Sequence, residues 1–463
     1  MATRQIQEER VQDLNEKETR NGDYVLYWMQ SSQRAEHNHA IEYAVQRAND
    51  LDQRLLVVFG LTDDYPEANL RHYAFMLEGL QDAQEALKDR GFKMVVRRGS
   101  PDEVTLEAGK DASLIVTDRG YMRPQKRWRE KVAREAGCLV TQVESDVVVP
   151  VELASGKQEH AARTLRPKIG EYLEEFLVAL TPTKIEKQST TMQQGGLDLS
   201  DIEKVLDGMD LDRSVGVLSH LYRGGNSEAR KMFRRFLKQS LGDYDANRNQ
   251  PQTDYVSHMS KYLHFGHVSP IWLALEAREA GAERDNIESF VEELVVRREL
   301  SMNFVFYNDD YDSYSSLPGW AKRTLEEHRD DEREYTYTRR QLVVRLGVLE
   351  YWNAAMREMV HTGYMHNYMR MYWGKKILEW SNTPEHAYRT TLYLNNKYFL
   401  DGRDPNSFAN VAWVFGQHDR SWVERPIFGQ VRYMNDKGLE RKFDIKAYAR
   451  WTEDLEALSS EHR

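Results

Sequence analysis

The chain reads Tyr24-Val25-Leu26-Tyr27-Trp28-Met29-Gln30-Ser31-Ser32 near its start, an apolar run that ends in polar residues. Four more short runs rich in β-branched residues follow before Pro150, with amphipathic stretches between them: Leu55–Leu61, Met94–Arg97, Ser113–Thr117 and Leu139–Val143. Short strands that alternate with amphipathic helices are typical of a doubly wound parallel sheet. Residues 23–150 are therefore predicted to form a Rossmann-like α/β domain.

The turn after the first predicted strand lacks a glycine-rich phosphate loop. A dinucleotide-binding turn has the pattern G-x-G-x-x-G, because the backbone must approach a pyrophosphate closely. Here the same position holds Met29-Gln30-Ser31-Ser32. The sequence therefore predicts that this domain holds some other ligand, or none.

The rest of the chain changes character twice. Residues 151–200 contain Gly156, Pro167, Pro182 and a polar stretch, which predicts a long irregular connection. Residues 201–463 have helical periodicity and almost no strand signals, which predicts an all-α domain; its helical runs include Ser227–Leu241, Ile287–Phe306, Arg339–Val360 and Tyr364–Ser381. Six of the ten tryptophans lie between positions 320 and 422. They indicate either an aromatic or redox-active ligand, or an aromatic helical core.

The composition favours a multidomain protein outside the membrane. The chain has 463 residues, 40% of them hydrophobic, and no apolar run approaches the ~18 residues that a membrane-spanning helix requires. Residues 1–22 are charged and lack the apolar core of a signal peptide, so we expect a mobile or helical tail there and a cytoplasmic protein. The single cysteine, Cys138, agrees with a reducing compartment. No histidine and carboxylate cluster has the spacing of a metal site.

The charge of the chain limits how it can bind nucleic acid. The formal net charge is -10, and a uniformly acidic surface repels DNA phosphates. Any DNA site must therefore be local. Residues 420–450 supply a basic island, with eight cationic side chains against four acids: Arg420, Arg425, Arg432, Lys437, Arg441, Lys442, Lys446 and Arg450.

Two long segments carry a resemblance to a known family. They are residues 290–304, which include Arg297-Arg298-Glu299, and residues 416–435, which include Arg420-Ser421-Trp422. Shorter landmarks lie before the first segment, at Tyr262–Gly266, and between the two, at Tyr368–Trp373 and Asp401–Asn406. Together these segments resemble the class II DNA photolyases, over roughly residues 23–450. Gln430 and Val256 depart from the family pattern, which has a basic residue and a threonine at these positions.

The resemblance implies light-driven repair of cyclobutane pyrimidine dimers in DNA. Its implied cofactor is FAD in the helical domain, active in the reduced form, and its partner is UV-damaged DNA whose dimer leaves the duplex to reach the flavin. A monomer suffices for that chemistry. The sequence leaves open whether the sheet domain carries an antenna chromophore such as 8-hydroxy-5-deazaflavin.

The resemblance assigns a set of FAD contacts. Hydroxyls and backbone amides before a helix suit a pyrophosphate, although Ser257 or Ser260 would serve equally as a helix cap. Arg370 is implied to pair with Asp401 beside the isoalloxazine, and Asn395 to lie against flavin N5. The full set is Tyr244, Arg248, Ser257, His258, Met259, Ser260, Asn303, Arg370, Asn395, Asp401 and Gly402.

Electron transfer and catalysis are implied for four further residues. Trp373, Trp352 and Trp380 resemble the electron-transfer chain of the family, in that order outward from FAD, whereas spacing alone predicts core tryptophans. Glu299 shares a helical stripe with apolar residues, so its carboxyl is expected to titrate high and to donate a hydrogen bond to the thymine radical anion. Without the resemblance, a salt bridge from Glu299 to Arg297 or Arg298 is the simpler interpretation.

The resemblance also implies contacts with the flipped dimer and with the DNA around it. Met371, Tyr368 and Trp413 are expected near the dimer, Arg420 and Trp422 in the gap that it leaves, and Arg432 and Lys442 on phosphates. The alternative is that Trp422 packs beneath its own loop and that Arg432 pairs with an acid such as Asp436.

Three other functions remain open at this point. A cryptochrome-like photosensor would keep FAD and the tryptophans without repair, and a nucleotide-binding electron-transfer flavoprotein would lack DNA affinity. Repair of the (6-4) photoproduct depends on active-site histidines, and the two long segments favour dimer repair instead.

Overall fold

The computed structural model describes residues 6–343 and 349–461, and its N-terminal part is a six-stranded sheet. The strand order is β1-β6-β5-β2-β3-β4, parallel except for β1. The strands are β1 Val11–Asp13, β2 Tyr24–Trp28, β3 Arg54–Leu61, β4 Lys93–Arg98, β5 Ala112–Asp118 and β6 Leu139–Val143. The five predicted strands are confirmed, each within one residue at either end.

Four helices cover the two faces of this sheet. Apolar residues of the first two pack on one face and those of the last two on the other, which makes the fold doubly wound. The helices are α1 His39–Asp50, α2 Leu70–Asp89, α3 Pro101–Ala108 and α4 Arg123–Glu135, with a 3₁₀ turn at Gly109–Asp111.

The first 22 residues are not wholly a tail, which corrects that prediction for the described residues 6–22. A 3₁₀ turn at Glu8–Arg10 leads into β1, which pairs antiparallel with β6. The Arg10 side chain is buried and donates to the carbonyls of Glu144, Val147 and Val148. A three-residue edge strand gives no hydrophobic periodicity, because its stability comes from pairing. Residues 1–5 lie outside the described part.

The connection is also more regular than predicted. Residues 151–200 contain α5 Val151–Ala154 and α6 Ala162–Phe176, and only the stretch after α6 is irregular. Pro167 lies inside α6, where burial of Leu165 and Ile169 outweighs its helix-breaking tendency.

Helices make up the remainder, and the predicted all-α character is confirmed. They are α7 Ile202–Asp207, α8 Asn226–Gln239, α9 Tyr244–Asn247, α10 Ser260–His264, α11 Pro270–Glu279, α12 Arg284–Val291, α13 Arg298–Tyr307, α14 Gly319–Glu327, α15 Arg339–Val343, α16 Glu350–Thr362, α17 Asn367–Trp380, α18 Pro384–Tyr398, α19 Pro405–Val414, α20 Asp436–Lys442 and α21 Ile445–Glu461, with 3₁₀ turns at Leu241–Asp243 and Tyr314–Ser316. The middle of the predicted run Arg339–Val360 lies outside the described residues. No helix in the described part is long and apolar enough to cross a membrane.

A π-helical turn at Glu292–Arg297 joins α12 to α13. A π turn has one residue more than an α turn, so it rotates the side chains that follow by about 100° relative to a continuous α-helix. The predicted continuous helix Ile287–Phe306 therefore has a register shift in its middle, and this shift decides which side chains face the cavity described below.

Candidate active site

A cavity of about 540 Å³ opens in the helical domain. Its walls come from residues 256–260, the π-helical turn, α17, α18 and α19. Nine of the eleven residues expected to contact FAD line it: Tyr244, Arg248, Ser257, His258, Met259, Ser260, Arg370, Asn395 and Asp401. The fold thus collects side chains that are up to 157 positions apart, from Tyr244 to Asp401, around one space.

An ion pair between Arg370 and Asp401 forms one wall. Both guanidinium nitrogens of Arg370 donate to the carboxylate at 3.0 Å, and the guanidinium lies 3.9 Å from the ring centroid of Phe399. Burial alone would raise the pKa of the Asp401 carboxyl, but the charge and hydrogen bonds of Arg370 outweigh burial and hold this pKa below its usual range. Asp401 therefore keeps a fixed negative charge inside the helical domain.

The loop before α10 presents polar groups to the cavity. His258 has φ of 56° and its Nε2 lies 2.5 Å from an oxygen of Asp254. The buried atoms His258 Nδ1 and Arg248 Nε have no hydrogen-bond partner among the described residues. Unpaired buried polar atoms are costly, so these two atoms point to a polar ligand in this cavity.

Asn303 and Gly402 do not line the cavity, which corrects both expected FAD contacts. The Asn303 amide bonds the carbonyl of Lys157 and the N–H of Glu159, so it joins α13 to the connection before α6. Gly402 lies behind Asn395, where a Cβ atom would come within about 3 Å of the backbone of residues 395–399. Glycine therefore allows the close packing that holds Asn395 in the wall.

Glu299 is also directed away from the cavity, and the expectation that it meets the dimer is wrong in this structure. Its carboxylate accepts hydrogen bonds from the backbone N–H groups of Val148, at 2.5 Å, and Val149, at 3.3 Å. The side chain is 3% exposed, and burial raises the pKa of Glu299 to about 8. The carboxyl titrates high, as predicted from its apolar stripe, but it joins the two domains.

On this helical segment, the carboxyl that faces the cavity belongs to Glu293, on the π-helical turn. It accepts a hydrogen bond from Arg248 at 2.8 Å, and the Arg248 guanidinium lies 5.9 Å from the ring centroid of Tyr244. Glu293 is six residues before Glu299, on the other side of the register shift. Sequence reasoning missed it because a regular 3.6-residue period does not reveal a π turn.

Trp373 lines the cavity and begins a row of indole rings that runs away from it. The ring centroids of Trp373 and Trp352 are 6.3 Å apart with nearly parallel planes, and those of Trp352 and Trp380 are 5.0 Å apart at 72°. The three rings therefore stand in the order that the resemblance implies.

At the cavity mouth, Met371 and Trp413 line the wall, and their contact with a flipped dimer stays a prediction. Tyr368 does not line it, and this expected contact is corrected: its ring packs on Phe443 and its hydroxyl accepts a hydrogen bond from Lys442 at 2.7 Å. Lys442 itself is exposed.

Beside the mouth, cationic and aromatic side chains alternate. Arg420 stacks on Trp422 at 4.7 Å, and Arg432 lies 4.2 Å from the Trp422 ring and 5.2 Å from the Trp413 ring. Asp419 fixes this group, because it accepts two bonds from Arg432, at 2.9 and 3.1 Å, and one from the Trp422 indole. Arg432 is thus paired with an acid, as the alternative interpretation held, but with Asp419 instead of Asp436.

Known proteins resemble the chain over nearly its whole length. Residues 25–187 match the DNA photolyase family. The deoxyribodipyrimidine photo-lyase of Methanothermobacter thermautotrophicus is 51% identical over 444 residues, which cover 96% of this chain and 98% of the relative. The chain belongs to the DNA photolyase family. The photo-lyase of Arabidopsis thaliana is 36% identical, over 95% of this chain and 90% of the relative.

Solved photolyase structures share the fold at low sequence identity. A class III photolyase from Agrobacterium tumefaciens superimposes with a TM-score of 0.69 at 18% identity, over 93% of this chain and 86% of that one. A cryptochrome from Synechocystis gives 0.67 at 15% identity, with the same coverage of both chains. Such likeness shows the photolyase fold and does not separate a repair enzyme from a photosensor.

Proposed function

We propose that this photolyase splits cyclobutane pyrimidine dimers in UV-damaged DNA in the light, as a class II enzyme. The observation that carries the proposal is that one cavity has two kinds of wall. The first wall holds charged groups, with the row of tryptophans behind it. The second wall is an apolar mouth, which lies beside the stacked arginines and tryptophans. A photosensor needs the first wall. The second wall gives a flipped dimer an apolar and aromatic surface to pack on.

FAD fits the cavity by its chemistry. The unpaired Arg248 Nε–H can donate to a phosphate or ribose oxygen. The His258 Nε2–H is bonded to Asp254, so its unpaired Nδ1 can accept from a ribose hydroxyl, and Ser257 and Ser260 add hydroxyl donors. Reduced FAD, when bound, supplies the electron that opens the dimer. Asp401 with Arg370 and the amide of Asn395 would then hold the isoalloxazine in one orientation.

Glu293 and Arg248 would stabilise the reacting dimer. A donor aimed at a pyrimidine carbonyl favours the dimer once it has gained an electron, because the negative charge grows on that oxygen. Arg248 supplies such a donor, and the Glu293 carboxylate keeps the guanidinium in place at 2.8 Å. Trp413 and Met371 would close the apolar side of the dimer site.

The test is spectroscopic and then functional. We expect purified protein to bind FAD noncovalently and to repair dimer-containing DNA only in light; protein that stays colourless after reconstitution with FAD would overturn the proposal. Trp373→Phe should lose light-driven reduction of oxidised FAD and keep repair after chemical reduction. FAD binding with no affinity for undamaged or damaged duplex and no repair in light would instead favour a flavoprotein of another kind.

A smaller cavity of about 110 Å³ is our candidate for an antenna chromophore such as 8-hydroxy-5-deazaflavin. It lies at the carboxyl ends of β2 and β3, where doubly wound sheets bind ligands, and includes Trp28, Gln30 and Arg403. The amides of Gln30 and Ser31 already donate to Asp118, so they cannot hold a phosphate in the usual way. An action spectrum with a band beyond that of FAD, lost in a Thr62→Trp variant that places a bulky ring at this cavity, would test this. We also propose a cytoplasmic monomer that associates with DNA.

A further inference from the structure

The three-tryptophan row ends inside the protein. Trp380 is only 3% exposed, so its ring does not meet an electron donor in solution. Two tyrosines continue the row beyond it. The Tyr337 ring lies 5.4 Å from Trp380 at 90°, and the Tyr335 ring lies 6.1 Å from Tyr337 with planes within 10°.

The centroid separations of the added rings fall within the range of those between the indoles. Centroid separations are 6.3 and 5.0 Å between the tryptophans, and 5.4 and 6.1 Å along the extension. The Tyr337 N–H donates to the carbonyl of Trp380 at 3.1 Å, which ties the first tyrosine to the end of α17. Tyr335 is 48% exposed, so the fifth ring is the one that reaches solvent.

An oxidised ring is stabilised where it can lose its proton, and in this row, among the described residues, only the end near the surface offers a proton acceptor. The Trp373 indole N–H faces the Met356 sulfur at 3.3 Å, and the Trp352 indole nitrogen has no partner among the described residues. A thioether is a weak acceptor and not a base, so neither indole can lose its proton inside the core. The Tyr335 hydroxyl instead shares a hydrogen bond with the Glu334 carboxylate and meets water.

We propose that Tyr337 and Tyr335 extend the electron relay to the surface and that Tyr335 is its terminal donor. This rests on the proposed role of Trp373, Trp352 and Trp380. After an electron has moved inward along the row, the oxidised Trp380 regains one electron from Tyr335 across the Tyr337 ring. Tyr335 loses its hydroxyl proton to Glu334 or water and becomes a neutral phenoxyl radical. A thiol in solution then returns a hydrogen atom and is itself oxidised to a thiyl radical.

The experiment is radical identification in the holoenzyme. Oxidised FAD-bound protein, made with ordinary or ring-deuterated tyrosine, is illuminated without reductant, frozen and examined by electron paramagnetic resonance. We expect a tyrosyl signal that narrows on tyrosine deuteration.

Tyr335→Phe and Tyr337→Phe should lose that tyrosyl signal and retain a tryptophanyl signal. A spin trap added during illumination should label the peptide that contains Tyr335. Tyr172→Phe, a partly exposed tyrosine on α6, is the matched control and should change nothing.

The outcomes separate this proposal from the one it rests on. A wild-type radical that is only tryptophanyl, or a tyrosyl signal unchanged in both phenylalanine variants, overturns the extension. Photoreduction that survives in Trp373→Phe overturns the tryptophan row itself. With 2-mercaptoethanol present, we expect a several-fold lower yield of reduced flavin in Tyr335→Phe than in wild type, because the electron returns before the thiol can react. An equal yield would count against Tyr335 as the terminal donor.

Discussion

Glu293 and Glu299 lie six residues apart on one helical segment, and the structure gives them opposite surroundings. Glu293 faces the cavity, pairs with Arg248 and has a side chain 36% exposed. Glu299 is buried against the backbone of Val148 and Val149, which belongs to the other domain. The π-helical turn between them separates a carboxyl available for chemistry from one that joins the domains. The role of a carboxyl in this motif therefore depends on the helical register, which decides the direction of its side chain, and the motif alone does not reveal it.

The strongest test of this contrast is Glu299→Ala. The change leaves two buried N–H groups without an acceptor, each costing about 1–3 kcal/mol, so we expect the free energy of unfolding to fall by about 2–6 kcal/mol. Repair per folded molecule should stay near wild type. Denaturant unfolding and a light-dependent repair assay measure the two quantities. Glu292→Ala, which removes surface ion pairs with Arg166 and Arg297, is the control and should cost about 1 kcal/mol or less. If Glu299→Ala loses repair activity and keeps the wild-type free energy of unfolding, Glu299 acts in the active site.

The pH dependence of stability sharpens the same contrast. The pKa of Glu299 is raised to about 8 by burial, so the folded protein holds a proton that the unfolded chain releases near pH 4.5. Its contribution to stability is full below about pH 4.5 and is lost as the pH rises through 8. Relative to Glu299→Gln, wild type should lose up to about 1.4 kcal/mol per pH unit within that window. Parallel stability curves for wild type and Glu299→Gln between pH 5 and about 8 would show that the carboxyl titrates normally.

The third prediction concerns Glu293→Ala. Loss of one charged hydrogen bond, about 1.5–3 kcal/mol, should lower repair per absorbed photon or affinity for the dimer by roughly tenfold or more, because Arg248 is no longer held in place. The free energy of unfolding should change by about 1 kcal/mol or less, since exposed ion pairs contribute little. Single-flash repair yields and thermal unfolding of the same preparation decide it. If the variant loses stability and keeps repair, the roles of the two carboxyls are reversed.

These two carboxyls also show which features of the structure the sequence can predict and which it cannot. The sheet was predictable because short apolar runs such as Tyr24–Trp28 alternate with amphipathic stretches up to Pro150. The cavity residues Arg370 and Asp401 were found through family motifs, since nothing local links positions 31 apart. Glu293 was missed because its orientation depends on a register shift. The bonds of Asn303 to Lys157 and Glu159 were missed because nothing local in the sequence links these positions. The strand Val11–Asp13 was missed because a three-residue segment with two polar residues gains order only from pairing with β6.

At the rim, Trp422→Ala should weaken binding of damaged DNA selectively, by about 1–3 kcal/mol, the scale of one lost base stack. The structure holds this ring between Arg420 and Arg432, ready to fill a gap in the duplex. Trp451→Ala, an indole 43% exposed on α21, is the matched control. Titrations of damaged and undamaged duplexes measure the selectivity. Equal losses for both duplexes would remove the gap-filling role.

The smallest effect expected is on the salt dependence of DNA binding, and it separates Lys442 from Arg432. Each cation that neutralises a phosphate contributes about 0.9 to the slope of log affinity against log salt. Lys442 is exposed and bonded to a neutral hydroxyl, so its charge is available to a phosphate. Lys442→Ala should therefore reduce the slope by about one unit on both duplexes.

Arg432 is bonded twice to Asp419, so its charge is already balanced. Arg432→Ala should therefore leave the slope unchanged and weaken damaged DNA alone, because Trp422 loses its support. Lys442→Arg, which keeps the charge, should restore the wild-type slope. A slope that falls equally in Lys442→Ala and Arg432→Ala would show that Asp419 releases Arg432 to a phosphate when DNA binds.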